Sequence, residues 1–199
     1  MLLWNKYKGQ GWFEAVASYS AARFIVVESR FLIASRYVDV QTDNAKTFSY
    51  EFASILRDSG SIFSSVMDAL VRGSNTIAKG ETNFGDYRVY LKTEIPDIQG
   101  RTIQVRPCFP EGMLVPFEAL GESSSTPEWW NAYNRIKHSE YDEFRSGNLE
   151  NCLTALSALA LLGFFMSWFV SDPLFVNVGI VYPEKSNVIS PEKRLFPKA

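Results

Sequence analysis

From Asn151 to Ser171 the chain runs 21 residues without a charge. A segment of that length and character is stable in two settings. It can cross a bilayer, where about 20 apolar residues suffice, or it can lie at the centre of a protein, covered on every side. Thr154, Ser157 and Ser167 interrupt the apolar run, and Ala155, Ala158, Ala160 and Gly163 let neighbouring helices come close. Both features favour a central helix. Membrane attachment through residues 151–171 is the minority alternative.

A central helix needs amphipathic partners, and the first part of the chain supplies two. Phe13 to Val38 places apolar or small residues at Phe13, Val16, Ala17, Ser20, Phe24, Val27, Phe31 and Ala34, close to a 3.6-residue period. After the polar break at Asp43 to Lys46, Thr47 suits the cap of a second helix running to about Val71. Its stripe is Phe48, Phe52, Ile55, Ser59, Ile62, Val66 and Leu70. Gly60 weakens this helix slightly, and Gly73 suits the left-handed residue after its end. Residues 13–72 are therefore expected to form a helical hairpin.

The pattern then changes. Tyr87–Leu91 and Thr102–Arg106 alternate in the strand manner, with Pro96 and Gly100 between them. Residues 86–117 are expected to form a β-rich insertion. Helical character returns at Thr126, a good N-cap, with Pro127 as first helical residue. A helical pair over 126–171 follows, its second member starting at Leu149 and ending at Asp172-Pro173. The tail, 172–199, is expected to be extended, with a strand-like run at Phe175 to Tyr182. The fold class expected is mainly α: one domain over 1–199, an antiparallel four-helix bundle with a small β-rich insertion between its second and third helices.

Composition narrows the function. At 46% hydrophobic and 15% aromatic the chain can fill a core, which excludes disorder. A net charge of −2 provides no global basic field for duplex DNA or an anionic membrane. One histidine and two cysteines, Cys108 and Cys152, make neither a disulfide framework nor a zinc site. No metal and no cofactor are expected. Residues 1–8 lack the apolar run of a signal peptide, so the cytoplasm is the expected compartment. Gly9-Gln10-Gly11 follows no strand and is no phosphate loop, and no Gly-x-Ser-x-Gly elbow occurs. The five tryptophans could stack on bases, but packing is the commoner fate of such rings.

The single histidine lies in Trp129-Trp130-Asn131-Ala132-Tyr133-Asn134-Arg135-Ile136-Lys137-His138. At about 100° per residue, Trp129, Ala132, Tyr133 and Ile136 share one apolar face. Asn131, Asn134, Arg135 and His138 gather opposite, with Trp130 and Lys137 on a flank. Such a polar face is either an ordinary solvated surface or a site. As a site, His138 would be a general acid or base, Asn134 would orient it, and Arg135, Lys137 and Asn131 would hold phosphate oxygens.

Asn134 and His138, four apart on a helix in the second half of such a bundle, resemble the HEPN family signature: Arg, a polar residue that is often Asn, three variable residues, then His. The Trp-Trp…Asn…Lys-His block after Pro116-Phe117 is similar to uncharacterised HEPN-like proteins. The resemblance implies a helical bundle from prokaryotic toxin–antitoxin, phage-defence or RNA-processing systems, with RNA or a nucleotide as partner and a homodimer through the bundle. In active members the Arg and His cleave RNA without metal. Here the position of that Arg holds Tyr133, and Arg135 lies some 200° round the helix. The resemblance therefore implies a non-catalytic RNA-associated binding or dimerisation module. The alternatives are a metal-independent ribonuclease using His138 and a membrane-attached helical protein.

Overall fold

The computed structural model describes residues 2–75, 82–105, 113–122, 125–166 and 189–191. Within them the chain is mainly helical. The α-helices are α1 (Leu2–Tyr7), α2 (Gly11–Ala34), α3 (Tyr50–Gly73), α4 (Phe84–Glu94), α5 (Glu128–Glu143) and α6 (Leu149–Phe165). Three short strands, β1 (Ile103–Val105), β2 (Met113–Leu114) and β3 (Ile189–Pro191), form an antiparallel sheet in the order β2-β1-β3.

The uncharged segment, as far as residue 166, lies at the centre of the described residues. α6 packs against α1, α2, α3 and α5, and only Glu150, Thr154 and Ala160 along it escape full burial. A helix covered this completely has no face on which a charge could be solvated, which explains the composition. Among the described residues no helix is long and apolar enough to cross a membrane. Residues 167–171, and the strand-like run at 175–182, lie outside the described residues.

α2 and α3 pack along one another, and their ends differ from those expected. α2 stops at Ala34 rather than Val38, because Arg36 and Tyr37 donate to carbonyls three residues back and tighten the chain into turns. Arg30 then ties the pair together. Its Nε donates to Glu51 at 3.0 Å, Nη2 to Ser54 at 3.0 Å and Nη1 to Asp58 at 2.5 Å, residues that share one face of α3.

The cap of α3 is Ser49, not Thr47: the Ser49 hydroxyl accepts from the Phe52 amide at 3.0 Å. Thr47 and Phe48 instead pair with the start of α6. The Leu149 amide donates to the Thr47 carbonyl at 2.9 Å, and Phe48 bridges Asn148. At this crossing a Cβ on Gly147 would lie 2.4 Å from the Cα of Ala53, so only glycine lets the two backbones approach. Asn148 caps α6 through the Asn151 amide.

One glycine reading is corrected and another gains a reason. Gly73 is helical and receives the indole of Trp12, 2.5 Å from where a Cβ would stand; the left-handed residue is Asn75, at φ 55°. Gly60 lies under the ring of Tyr133, 2.4 Å from where its Cβ would be.

The largest correction concerns 86–91, read as a strand and found as helix α4. A capping box starts it. The Asn83 side chain accepts from the Gly85 and Asp86 amides, and Asp86 accepts from the Asn83 amide at 2.9 Å. Phe84, Tyr87, Tyr90 and Leu91 then fall on one buried face, a period nearer 3.6 than 2. Residues 87–91 therefore do not pair with 102–105 as strands. β1 pairs instead with β2, Ile103 opposite Leu114, and with β3, Val105 opposite Ile189. α1, which the sequence reading missed, is clipped to α4 by Lys6, whose Nζ lies 2.6 and 2.7 Å from the two Glu94 oxygens.

α4 also brings buried phenols against α3. The Tyr87 hydroxyl donates to Asp68, which Thr82 also reaches, and lies 3.1 Å from Ser64 Oγ. Burial and the Asp68 hydrogen bond push the Tyr87 phenol up to about 12. Burial also raises Tyr90 and Tyr133. An unfolded tyrosine ionises near 10, so between about pH 10 and 12 the unfolded chain loses protons that the folded chain retains. Stability is therefore fully present below pH ~10 and falls as the pH climbs to ~12. Chemical denaturation across that range should show this fall, and Tyr87→Phe should flatten it; an unchanged slope in Tyr87→Phe would remove this phenol from the effect.

Candidate functional site

α5 stands where the helical wheel places it. Trp129, Ala132, Tyr133 and Ile136 are all buried. Trp130, expected on a flank, is buried too, because α4 is a helix and brings Phe84 to it, ring centroids 5.1 Å apart. Phe63 of α3 meets both tryptophans edge-on, at 5.1 and 5.8 Å. The Trp129 indole N–H donates to the Pro116 carbonyl at 2.8 Å. Trp4 and Trp12 are half-buried against the same core. These four tryptophans serve packing rather than base stacking. Trp168 lies outside the described residues.

The polar residues of α5 separate into two groups. Arg135 is occupied. Its Nη2 is 2.5 Å from Glu128 Oε1, its Nε donates to Ser146 Oγ at 3.1 Å, and Glu143 stands 3.6 Å away. It braces α5 against the turn leading to α6 and is not poised for phosphate. Asn131 donates to the Thr126 carbonyl at 3.4 Å, so it holds the helix start. Thr126 itself is not the N-cap; the helix begins at Glu128 and the Pro127 carbonyl accepts the first amides.

His138, Asn134 and Lys137 are the other group. His138 and Lys137 are exposed and Asn134 is half-buried. Lys137 Nζ lies 5.7 Å from the centre of the Tyr133 ring. Among the described residues neither the His138 nor the Asn134 side chain makes a hydrogen bond. His138 is the last residue before a kink. Ser139 has φ −152° and ψ 61°, and its hydroxyl donates to Asp142 at 2.9 Å, starting the last turn afresh. Beyond the kink Glu140 pairs with Arg57 of α3.

Tyr133, the residue before Asn134, is 3% exposed, between Gly60 and Trp130. Burial raises its phenol, as a group held in the core rather than at a reaction centre. Cys152 is wholly buried and burial pushes its thiol up, which makes it inert. Cys108 lies outside the described residues.

Two further features had no local sequence signal. A cleft of about 420 Å³ opens beside the start of α5, lined by Lys46, Glu118, Glu128, Trp129, Glu150 and Thr154 among others. Lys46 already pairs with Glu150, and Glu128 with Arg135, so the one lining cation is not free to take a phosphate. None of His138, Asn134 and Lys137 lines it.

The second feature is an aromatic end. Tyr50 stacks on Phe144 at 5.2 Å, Phe48 meets Phe144 edge-on at 5.3 Å, and Arg145 lies 5.0 Å from the Phe48 ring centre. Tyr50 is 71% exposed. This group is assembled from the entry to α3 and the exit from α5, segments far apart in sequence, and sits six residues beyond His138. No protein-family model, curated protein or solved structure matches the chain.

Proposed function

We propose that the chain is a HEPN-like module that binds RNA or a nucleotide without cleaving it, as a cytoplasmic homodimer in a stress or defence setting. In this reading α2, α3, α5 and α6 are the four-helix bundle and the segment between α3 and α5 is its insertion. The observation that carries the non-catalytic reading is the burial of Tyr133 against Gly60. The side chain at the arginine position points into the core, so the polar face offers His138 without its catalytic partner. RNA association is supported by the exposed Tyr50–Phe144 stack with Arg145 beside it, since bases of any identity stack on such rings.

One observation favours the ribonuclease alternative: His138 is exposed, with Asn134 one turn away. The two readings separate on a labelled single-stranded RNA, incubated with and without chelator. Wild type and His138→Ala should both leave it intact. Binding should weaken about tenfold in Tyr50→Ala and in Arg145→Ala, since one base–aromatic stack is worth about 1–3 kcal/mol. Chelator-resistant cleavage that His138→Ala abolishes would establish the ribonuclease instead. An RNA that neither cleaves nor binds would end the RNA reading.

A further inference from the structure

α2 buries one face and leaves the opposite face apolar as well. Ala15, Tyr19, Ala22, Val26, Ser29 and Ile33 are all exposed. Their spacings alternate four and three, the heptad pattern by which one helix meets another along its length. Tyr19, Val26 and Ile33, seven residues apart, are 50, 54 and 54% exposed. The small residues Ala15, Ala22 and Ser29 are also seven apart. Half-buried Ile25 and Leu32 flank the row, and Arg30 beside it is held by Glu51 and Asp58. The solvent face of a surface helix is ordinarily charged or polar, and in this row only Ser29 is polar.

We infer that this row is a self-association seam, and that its occupant is α2 of a second copy running antiparallel across a two-fold axis. The alternation of large and small residues selects that occupant. Antiparallel pairing centred at residue 24 sets Ala15 against Ile33, Tyr19 against Ser29 and Ala22 against Val26, a large side chain against a small one in every layer. Parallel pairing in register would set Tyr19, Val26 and Ile33 against themselves and leave voids between the small layers. One surface patch serving both subunits is what a two-fold dimer requires.

The row spans about 27 Å at 1.5 Å per residue, and with a helix width of about 10 Å its footprint is roughly 300 Å². Stable complexes cover about 800 Å² per partner, so the dimer should depend on concentration. Arg23, exposed on the rim, would face its copy near the axis. Salt should therefore strengthen the dimer by screening that repulsion. The inference rests on the homodimer of the proposed function but not on RNA binding.

Sedimentation of the full chain over a range of concentrations tests it. The expected result is a monomer–dimer equilibrium, tightened by salt, with Val26→Glu and Tyr19→Glu monomeric at unchanged thermal stability. Cysteine variants test the direction in a Cys108→Ser background, where the remaining Cys152 is buried. Ser29→Cys and Tyr19→Cys proteins should cross-link when mixed and oxidised, and neither should cross-link with itself. Self-linking of Ser29→Cys would overturn the antiparallel geometry. A dimer that Val26→Glu leaves intact would overturn the seam while leaving a homodimer in place. A chain monomeric at every concentration, including one that binds lipid vesicles or another protein through this face, would overturn both.

Discussion

Trp129→Ala is expected to remove about 4 kcal/mol of folding stability, because truncating a buried Trp costs roughly 3–5 kcal/mol. Trp129 is 1% exposed, and Phe63, Phe117 and Trp130 all meet its ring edge-on. Its indole N–H is the hydrogen-bond donor to the Pro116 carbonyl, so the substitution also unties the segment over residues 113–121 from α5. A domain has only about 5–15 kcal/mol in hand, so the loss should leave the protein partly unfolded near 37 °C. Urea denaturation followed by far-UV circular dichroism measures it without relying on tryptophan emission. Trp129→Phe retains a ring but not the donor, and should cost about 1–2 kcal/mol, the scale of one hydrogen bond and its stranded acceptor. Hydrogen exchange should rise over 113–121 in both variants. A loss below about 1 kcal/mol in Trp129→Ala would mean that the ring is not at the core.

How much of this was legible in the sequence depends on the range of the interaction. The buried face of α5 follows from a 3.6-residue period alone, and Trp129, Ala132, Tyr133 and Ile136 lie where that period puts them. The central position of α6 follows from the uncharged run after Glu150. α4 was misread because Tyr87-Arg88-Val89-Tyr90-Leu91 is rich in strand-favouring residues; the signal that decides is the Asn83–Asp86 capping box just before it. Ser49 outcompetes Thr47 as cap because Thr47 and Phe48 are drawn into pairing with Asn148 and Leu149, a contact a local reading cannot see. Gly60, Gly73 and Gly147 each accommodate a distant group, Tyr133, Trp12 and Ala53, so none can be explained from its own helix. The same limit governs the site. The polar face of α5 is periodic and was found, but the engagement of Arg135 by Glu128 and Ser146 depends on where the next turn folds. The Tyr50–Phe144 platform joins two distant segments and leaves no pattern in either.

Gly60→Ala should change sign with the residue at 133. In the wild-type chain the added methyl would stand 2.4 Å from the Tyr133 ring. Trp130 lies on that ring at 5.1 Å and limits its retreat. Overpacking of this kind costs about 1–3 kcal/mol. In a Tyr133→Ala background the space is open, and the ordinary helix preference for alanine over glycine, up to about 1 kcal/mol, should emerge as a gain. The double-mutant cycle should thus return a coupling of about 2–4 kcal/mol. The same contact decides what happens when position 133 is given the arginine of the HEPN signature. Tyr133→Arg would place a guanidinium in a site 3% exposed. Desolvation without a partner costs several kcal/mol, so the variant should lose structure rather than gain RNA cleavage. If Gly60→Ala instead cost the same in both backgrounds, the ring would not rest on Gly60. Position 133 would then be free to carry an arginine towards His138, and the case for a module that binds without cutting would fail with it.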